Sequence, residues 1–386
     1  MDLSYTQQEQ DFRAEVRRWL EASVPPRPLA SFDTEAGFEQ HRQWEKTLAA
    51  GNWGMVTWPE AYGGRGCNLI EWLIFEEEYY RAGAPLRVNQ NGIFLLGPTL
   101  MEYGSEAQKA RYLTKMASGE EIWAQGWSEP GAGSDMAAIR STARREGDAY
   151  VINGQKIWST RAVYADWVFC MLRTDPQSTR HRGLSFILVP LDAPGVTVRP
   201  IRQLDGLPGF AEIFFDDVRV PLDCRLGEEG EGWRIAMATA GFERGLMLRS
   251  PARYKATAQR LLQLYRSRDN DILDLSIEDA VVRCYLDAEA YALSTYRTAS
   301  RLAAGGSIGA EASCNKIFWS ELDVMMHETA LRLLGPQAEL IDADQPPESQ
   351  GWQDGFLFSL AGPIYAGSNE IQRNIVAERM LGMPRA

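Results

Sequence analysis

Two stretches carry residues able to move a proton or stabilise a developing charge. The first is "GPIYAGSNEIQRNIVAERMLGMPR", Gly362 to Arg385, where an apolar run enters Ala366-Gly367-Ser368-Asn369-Glu370 and a helix follows. Such a tight turn into a helix is a good place to hold a reactive group. Neither Ala366 nor Gly367 can itself take a proton. The second is "MATAGFERGLMLRSP", which carries Glu243 and Arg244, a carboxylate suited to general-base work and a guanidinium able to tune it. At helical spacing Ile235, Ala238, Phe242 and Leu246 form an apolar stripe. Glu243 stands at its edge, and Gly241 and Gly245 leave room for a ligand. Taken alone, the pair reads more simply as solvated charges on a helix surface.

Two further stretches suit a flat or phosphorylated ligand. "GWSEPGAGSD", Gly126 to Asp135, combines small residues that let backbone approach closely with hydroxyls that hydrogen-bond. A surface loop of turn residues explains it equally well. In "NGQKIWSTRAVYADW", Trp158 and Thr160 are two apart, so a regular strand puts both on one face. An indole beside a hydroxyl can stack on and hydrogen-bond a heteroaromatic ring, although a core Trp beside an incidental Thr is the plainer alternative.

The elements that must position these residues follow from periodicity and turn chemistry. Residues 4 to about 120 read as helices, with Phe12, Val16, Trp19 and Leu20 on one face of the first and a Ser cap opening "SEAQKARYLTKMASGE". The Gly-rich "WPEAYGGRGCN" interrupts them. From 121 to 231 strand patterns take over: "DWVFCMLRT", "LSFILVPL", "VTVRPI", "AEIFFDDVRVP", and a hairpin turning at Asn153-Gly154. Helices return over 233–267, 276–304 and 307–334, followed by a polar loop and a closing helix that opens at Ser368 and stops at Gly382. The expected class is therefore α+β multidomain: an N-terminal helical domain (1–120), a middle antiparallel β-domain (121–231) and a C-terminal helical segment (232–386).

Composition narrows the function. The 386 residues carry a net charge of −12, which argues against nucleic acid or an anionic membrane as partner. Five scattered cysteines without a CxxC point to a reducing cytoplasm. Three well-separated histidines, His41, His181 and His327, argue against a metal site. No 18-residue apolar stretch suggests a membrane span, and no basic region leads into an apolar run at the start.

Taken together, "SEPGAGSD", "NGQKIWST", "FFDDVRVP", "GEEGEGW" and "IYAGSNEIQRNIVAERMLG" resemble the acyl-CoA dehydrogenase family, in order and over nearly the whole chain. The resemblance implies that the C-terminal segment is a four-helix bundle, that FAD lies between subunits, and that an acyl-CoA is oxidised at Cα–Cβ to its trans-2-enoyl-CoA. It implies an electron-transferring flavoprotein as acceptor. By position, Trp127, Ser128, Ser134, Trp158 and Thr160 match flavin-contacting residues, and Ser134 also lies where the family contacts the CoA arm. Ser368 and Glu370 match positions beside the ADP half, and Gly367 matches the amide that polarises the thioester carbonyl.

In the commonest members a catalytic carboxylate follows the Ile-Tyr of the terminal turn; here that place is Ala366. Glu243-Arg244 matches the Glu-Arg pair that isovaleryl-type and long-chain enzymes use instead, so the resemblance makes Glu243 the base and Arg244 its tuner. Glu370, at a helix start that favours an ionised carboxylate, is the competing and poorer base. The family's Arg-x-Phe-Gly and Gln-x-x-Gly-Gly motifs, which reach a neighbour's pyrophosphate, are absent; Arg266 and Arg268 stand near the first, with no aromatic-Gly after them. Their loss fits either a homo-oligomer with other contacts or, preferably, the catalytic chain of an α2β2 actinobacterial enzyme whose sister chain supplies them. A methyl at 366 suits branched, bulky or steroid-derived acyl groups. A non-catalytic FAD-scaffold subunit, and a flavin oxidase or monooxygenase on the same fold, are the other readings.

Overall fold

Caps and apolar spacing define the N-terminal helices in the computed structural model, which describes residues 4–243, 250–268, 275–340 and 351–384. Helix α1 (Gln7–Ser23) buries Phe12, Val16 and Leu20, one face at four-residue spacing, while Trp19 is half-buried. Thr34 caps α2 (Glu35–Ala50) by accepting from the Gly37 N–H. Reciprocal capping boxes open α3 (Leu69–Arg81) at Asn68 and Glu71, and α5 (Glu106–Ala117) at Ser105 and Gln108. Between these two, a π-helical turn (Asn91–Leu96) leads into α4 (Gly97–Tyr103).

The middle of the chain is an eight-stranded sheet. Its strands are β1 (Trp123–Gly126), β2 (Thr142–Glu146), β3 (Ala149–Thr160), β4 (Trp167–Arg173), β5 (Leu184–Pro190), β6 (Val196–Ile201), β7 (Phe210–Pro221) and β8 (Arg225–Leu226). The order is β6-β7-β3-β2-β4-β5-β8, with β1 on β4. Pairing is antiparallel apart from β1 on β4 and one parallel bridge between β2 and β4. Tyr150, Ile152, Val168, Cys170 and Ile187 are among its fully buried residues.

Two sequence expectations need correction. Asn153-Gly154 is not a hairpin turn: β3 runs straight through it, and the turn from β2 lies at Gly147, with φ +62°. The Asn-Gly pair instead forms an irregularity against β7, between Ile152 and Gly154. There the Asn153 amide exchanges two hydrogen bonds with Asp217, at 2.8 and 3.0 Å, so the side chain completes the ladder that the bulge interrupts. The helix expected over 233–267 is also divided. Helix α6 (Gly232–Glu243) ends before Ser250, and α7 (Pro251–Arg266) begins anew with Ser250 capping the Ala252 N–H. Pro251 has no N–H to give to a preceding turn, so it suits a first helical position and no interior one.

Helices α7, α8 (Leu275–Ala303), α9 (Glu311–Leu334) and α11 (Asn369–Arg379) form the C-terminal bundle, with the short α10 (Trp352–Ser359) on α9. Tyr254, Leu261, Cys284, Tyr291, Trp319, Met326 and Trp352 fill its core. Compactness does not follow chain order. Met1–Ala22, Asn68–Ala84 and Arg244–Ala386 make one unit; Ser23–Cys67 and Pro85–Glu243 make the other. In the first, α1 joins α3 through buried Glu78, which accepts from Arg13, Arg17 and Arg81. Tyr296 of α8 donates to Glu77 at 2.8 Å.

Candidate active site

Strand β1 delivers Trp127 and Ser128, and β3 delivers Trp158 and Thr160. The Ile157 N–H donates to the Ser128 carbonyl at 2.9 Å, which brings the two segments together. Beneath them lies an ion pair that the sequence reading missed. Lys156 has no exposed side-chain surface; its Nζ donates to Glu129 Oε1 at 2.8 Å, to the Met171 carbonyl at 2.7 Å and to the Trp127 carbonyl at 3.3 Å. Glu129 also accepts from the Arg140 and Ser141 N–H groups, at 2.7 and 3.0 Å. Burial works to raise the Glu129 pKa, but the Lys156 charge and these hydrogen bonds outweigh it and hold the carboxylate below its usual range. The pair joins "SEPGAGSD" to "NGQKIWST". Its signal in the sequence was Lys156, the one charged residue of the second motif.

Trp158 does not sit on a regular strand. It has φ +60°, at a register shift between Lys156 and Ser159, so two-residue spacing no longer places it on one face with Thr160. The bulge leaves its indole 56% exposed, edge-on to Phe210 at 6.0 Å, while Thr160 and Ser128 are half-buried. Trp127 Nε1 and Ser159 Oγ are buried and without a hydrogen-bond partner among the described residues. An exposed indole, half-buried hydroxyls and buried polar atoms still to be satisfied fit a flat, hydrogen-bonding ring system. Ser134 is exposed in the loop that follows.

In α6 the buried residues include Ile235, Ala236 and Thr239, whereas Ala238 of the expected stripe is only half-buried. The face is turned because Thr239 can be buried without polar cost: its hydroxyl donates to the Ile235 carbonyl and meets Thr99 Oγ1, both at 2.9 Å. Glu243 closes the helix. Its side chain and that of Phe242, with Arg244 and Leu246, lie outside the described residues.

The terminal turn is a separate group. Ala366 and Gly367 both have left-handed backbones, φ +56° and +78°. Ser368 caps α11 by accepting from the Ile371 N–H at 3.4 Å. Asn369 is buried; its N–H reaches the Pro363 carbonyl at 2.8 Å, and its Oδ1 accepts from Lys316 Nζ at 2.8 Å and Ser320 Oγ at 3.2 Å. Gln372 is buried, and its Nε2 donates to the Ala366 and Gly367 carbonyls at 3.1 and 3.2 Å. No acceptor takes the Gly367 N–H among the described residues. Glu370 is exposed, and its own N–H and the Ser368 hydroxyl hold its carboxylate below the usual range. Arg268 donates to Gln337 at 2.9 Å, which ties the ends of the two regions lacking the pyrophosphate motifs. Among the described residues no group of three or more His, Cys, Asp or Glu could hold a metal ion, and no helix is long and apolar enough to cross a membrane.

The comparisons with known proteins agree over the full length. Three family models match: "Acyl-CoA dehydrogenase, N-terminal domain" at 6–120, "middle domain" at 124–218 and "C-terminal domain" at 230–381. The acyl-CoA dehydrogenase IpdE1 of Mycobacterium tuberculosis is 41% identical, over 97% of this chain and 98% of that protein. Among solved structures, the ChsE4-ChsE5 complex from Mycobacterium tuberculosis superposes with a TM-score of 0.85 at 32% identity, over 100% of both chains. The Tcur3481-Tcur3483 steroid ACAD gives 0.83 at 30% identity, again over 100% of both.

Proposed function

This chain belongs to the acyl-CoA dehydrogenase family and is an oxidoreductase, and on that premise we propose that it oxidises an acyl-CoA thioester at Cα–Cβ to the trans-2-enoyl-CoA. The family binds FAD, and we assign the Trp127–Thr160 group to the flavin ring in this chain. Bound there, FAD would supply the acceptor for the hydride leaving Cβ. Trp158 would cover the ring and the Ser128 and Thr160 segments would hydrogen-bond its edge, with Ser134 toward the CoA arm. Ser368 and Glu370 would lie by the ADP half.

The chain's own residues carry the rest. Glu243 takes the α-proton, and Arg244 tunes its carboxylate. The Gly367 N–H donates to the thioester oxygen as negative charge develops there. The observation that carries this reading is the terminal turn: an N–H at Gly367 with no acceptor among the described residues, beside a residue, Ala366, that holds no acid. Glu370 is too well stabilised as an anion to compete as base.

The relatives solved as ChsE4-ChsE5 and Tcur3481-Tcur3483 support placing this chain in a two-component enzyme with a sister chain, α2β2. An exposed apolar line on α8, Val282, Leu286 and Leu293, supports an association surface. A bulky, branched or steroid-derived acyl group, an electron-transferring flavoprotein as acceptor and a cytoplasmic location complete the proposal. We also retain 1–120, 121–231 and 232–386 as its domains.

The test is Glu243→Gln in the FAD-loaded protein with its partner. Turnover should fall by about 10³-fold or more while flavin absorbance is unchanged. Normal turnover would remove the base assignment. Anaerobic bleaching of the flavin by an acyl-CoA supports the dehydrogenase; no bleaching by any acyl-CoA, with the partner present, favours a scaffold subunit.

A further inference from the structure

The far end of β3, which carries Trp158 and Thr160, is tied to the segment leading into α2 by a second buried ion pair. Arg161 Nε donates to Asp33 Oδ1 at 2.7 Å, and the two side chains are only 13% and 10% exposed. The guanidinium carbon lies 3.8 Å over the Phe32 ring, so the planar group is stacked as well as bonded. Tyr164 adds a third contact, its hydroxyl donating to the Asp33 carbonyl at 3.1 Å. The anchoring segment is itself fixed: Thr34 caps α2, and Phe32 stands edge-on to His41 of that helix at 5.5 Å.

What the pair holds is a strained return to the sheet. The register shift between Lys156 and Ser159 takes Ile157 and Trp158 out of the ladder with β7. Ser159, opposite Ala211, and Thr160, opposite Phe210, come back to it, and the Arg161 N–H closes it on the Gly209 carbonyl at 3.0 Å. Arg161 then leaves the strand with φ +49°, the second L-residue of this segment, after Trp158, in the left-handed region. An L-residue relaxes out of that region unless its surroundings fix it. Here the fixing contact is made by the residue's own side chain. Gly209 lies in the same corner, where a Cβ would stand 3.2 Å from Asp33 Oδ2. The backbone N–H and the side-chain Nε of Arg161 are thus bonded to neighbouring points, and rotation out of the left-handed region pulls on both bonds. The sequence reading gave Arg161 no role, because its partner lies 128 residues away.

We propose that Arg161 is a positioning residue for the cofactor ring: held by Asp33 and Phe32, it fixes the end of β3 and so sets the Thr160 hydroxyl and the Trp158 indole where the flavin meets them. This rests on the assignment of the Trp127–Thr160 group to the flavin given above. The guanidinium is directed toward the residues before α2, so Arg161 acts through its own backbone and through Thr160.

The test uses the FAD-loaded complex with its partner chain. In Arg161→Leu, amide hydrogen exchange over 157–164 should quicken by roughly 10-fold or more while exchange over 143–152 stays unchanged. The FAD dissociation constant should rise about 10-fold, the worth of a hydrogen bond to the ring, and the visible circular dichroism of the bound flavin should move toward that of Thr160→Val. Asp33→Leu combined with Arg161→Leu replaces the pair by apolar side chains and leaves no lone charge buried. It provides a folded comparison should the single variant not fold, and it should show the same changes. Unchanged exchange in either folded variant overturns the inference alone; so does faster exchange with wild-type FAD binding and dichroism, where Thr160→Val alters both. If Trp158→Ala and Thr160→Val bind FAD as the wild type does, with the same dichroism, the flavin assignment falls and the inference with it.

Discussion

Lys156 and Glu129 join the two segments we assign to the flavin by burying two opposite charges where neither could stand alone. An unpaired buried charge is far more costly than the pair, so removing one partner is the severe change. Glu129→Gln should lower stability at neutral pH by about 3 kcal/mol, and adding Lys156→Met should recover part of that loss. The pH dependence has a definite sign. The folded Glu129 pKa lies below its ordinary value of 4.5. Its contribution is therefore complete above that value and is lost as pH falls through the lower, folded value. Urea unfolding at pH 7 and pH 4 should show the wild type losing more stability between the two than Glu129→Gln does. Equal losses would mean that Glu129 is not the group holding the pair together.

At the scale of elements, the same logic joins α1 to α3. Glu78 is 1% exposed and accepts from Arg13 and Arg17 of α1 and Arg81 of its own helix, at 2.8 to 3.0 Å. Arg17 and Arg81 are about half exposed, so solvent screens part of the attraction. Glu78→Ala should cost about 2 kcal/mol and free α1 first, which limited proteolysis ahead of residue 23 would detect. Cleavage there at the wild-type rate would show that apolar packing alone holds α1. This contrast also marks what the sequence could tell. The apolar face of α1, the Ser105 cap of α5 and four of the strands were legible, because spacing and cap chemistry are local. The Asn153-Gly154 bulge was misread as a turn because the bonds that stabilise it come from Asp217, 64 residues away. The break at Pro251 was in plain sight and was overridden by a continuous apolar pattern. Within the candidate site, resemblance singled out Trp127, Trp158 and Gly367, and their roles remain part of the proposal. Lys156, Glu129 and Gln372 act through bonds to backbone and to residues distant in sequence, which no periodicity records.

At the scale of the whole molecule, the question is how the chain holds FAD without the motifs that elsewhere reach a neighbour's pyrophosphate. Arg266 and Arg268 stand near the first lost motif, and the Arg268 guanidinium already bonds to Gln337 rather than standing ready for a phosphate. The group we assign to the flavin ring has an indole 56% exposed and buried polar atoms without partners among the described residues. Such a half-site would bind a ring but gain little from the doubly charged diphosphate, and charge-assisted bonds are the stronger share of nucleotide affinity. On α8, Val282, Leu286 and Leu293 lie on one line at four- and seven-residue spacing and are 51, 60 and 49% exposed. An apolar line of that kind on a bundle helix suits association with another chain. Both facts predict one outcome. Expressed alone, the chain should be poor in FAD and prone to association; co-expressed with a sister acyl-CoA dehydrogenase chain that carries the two pyrophosphate motifs, it should purify as a yellow complex. Flavin absorbance per chain and mass by light scattering read both effects at once. Val282→Lys with Leu286→Lys should then weaken the complex while leaving the lone chain folded. Stoichiometric FAD in the lone chain would show that this protein closes its own cofactor site.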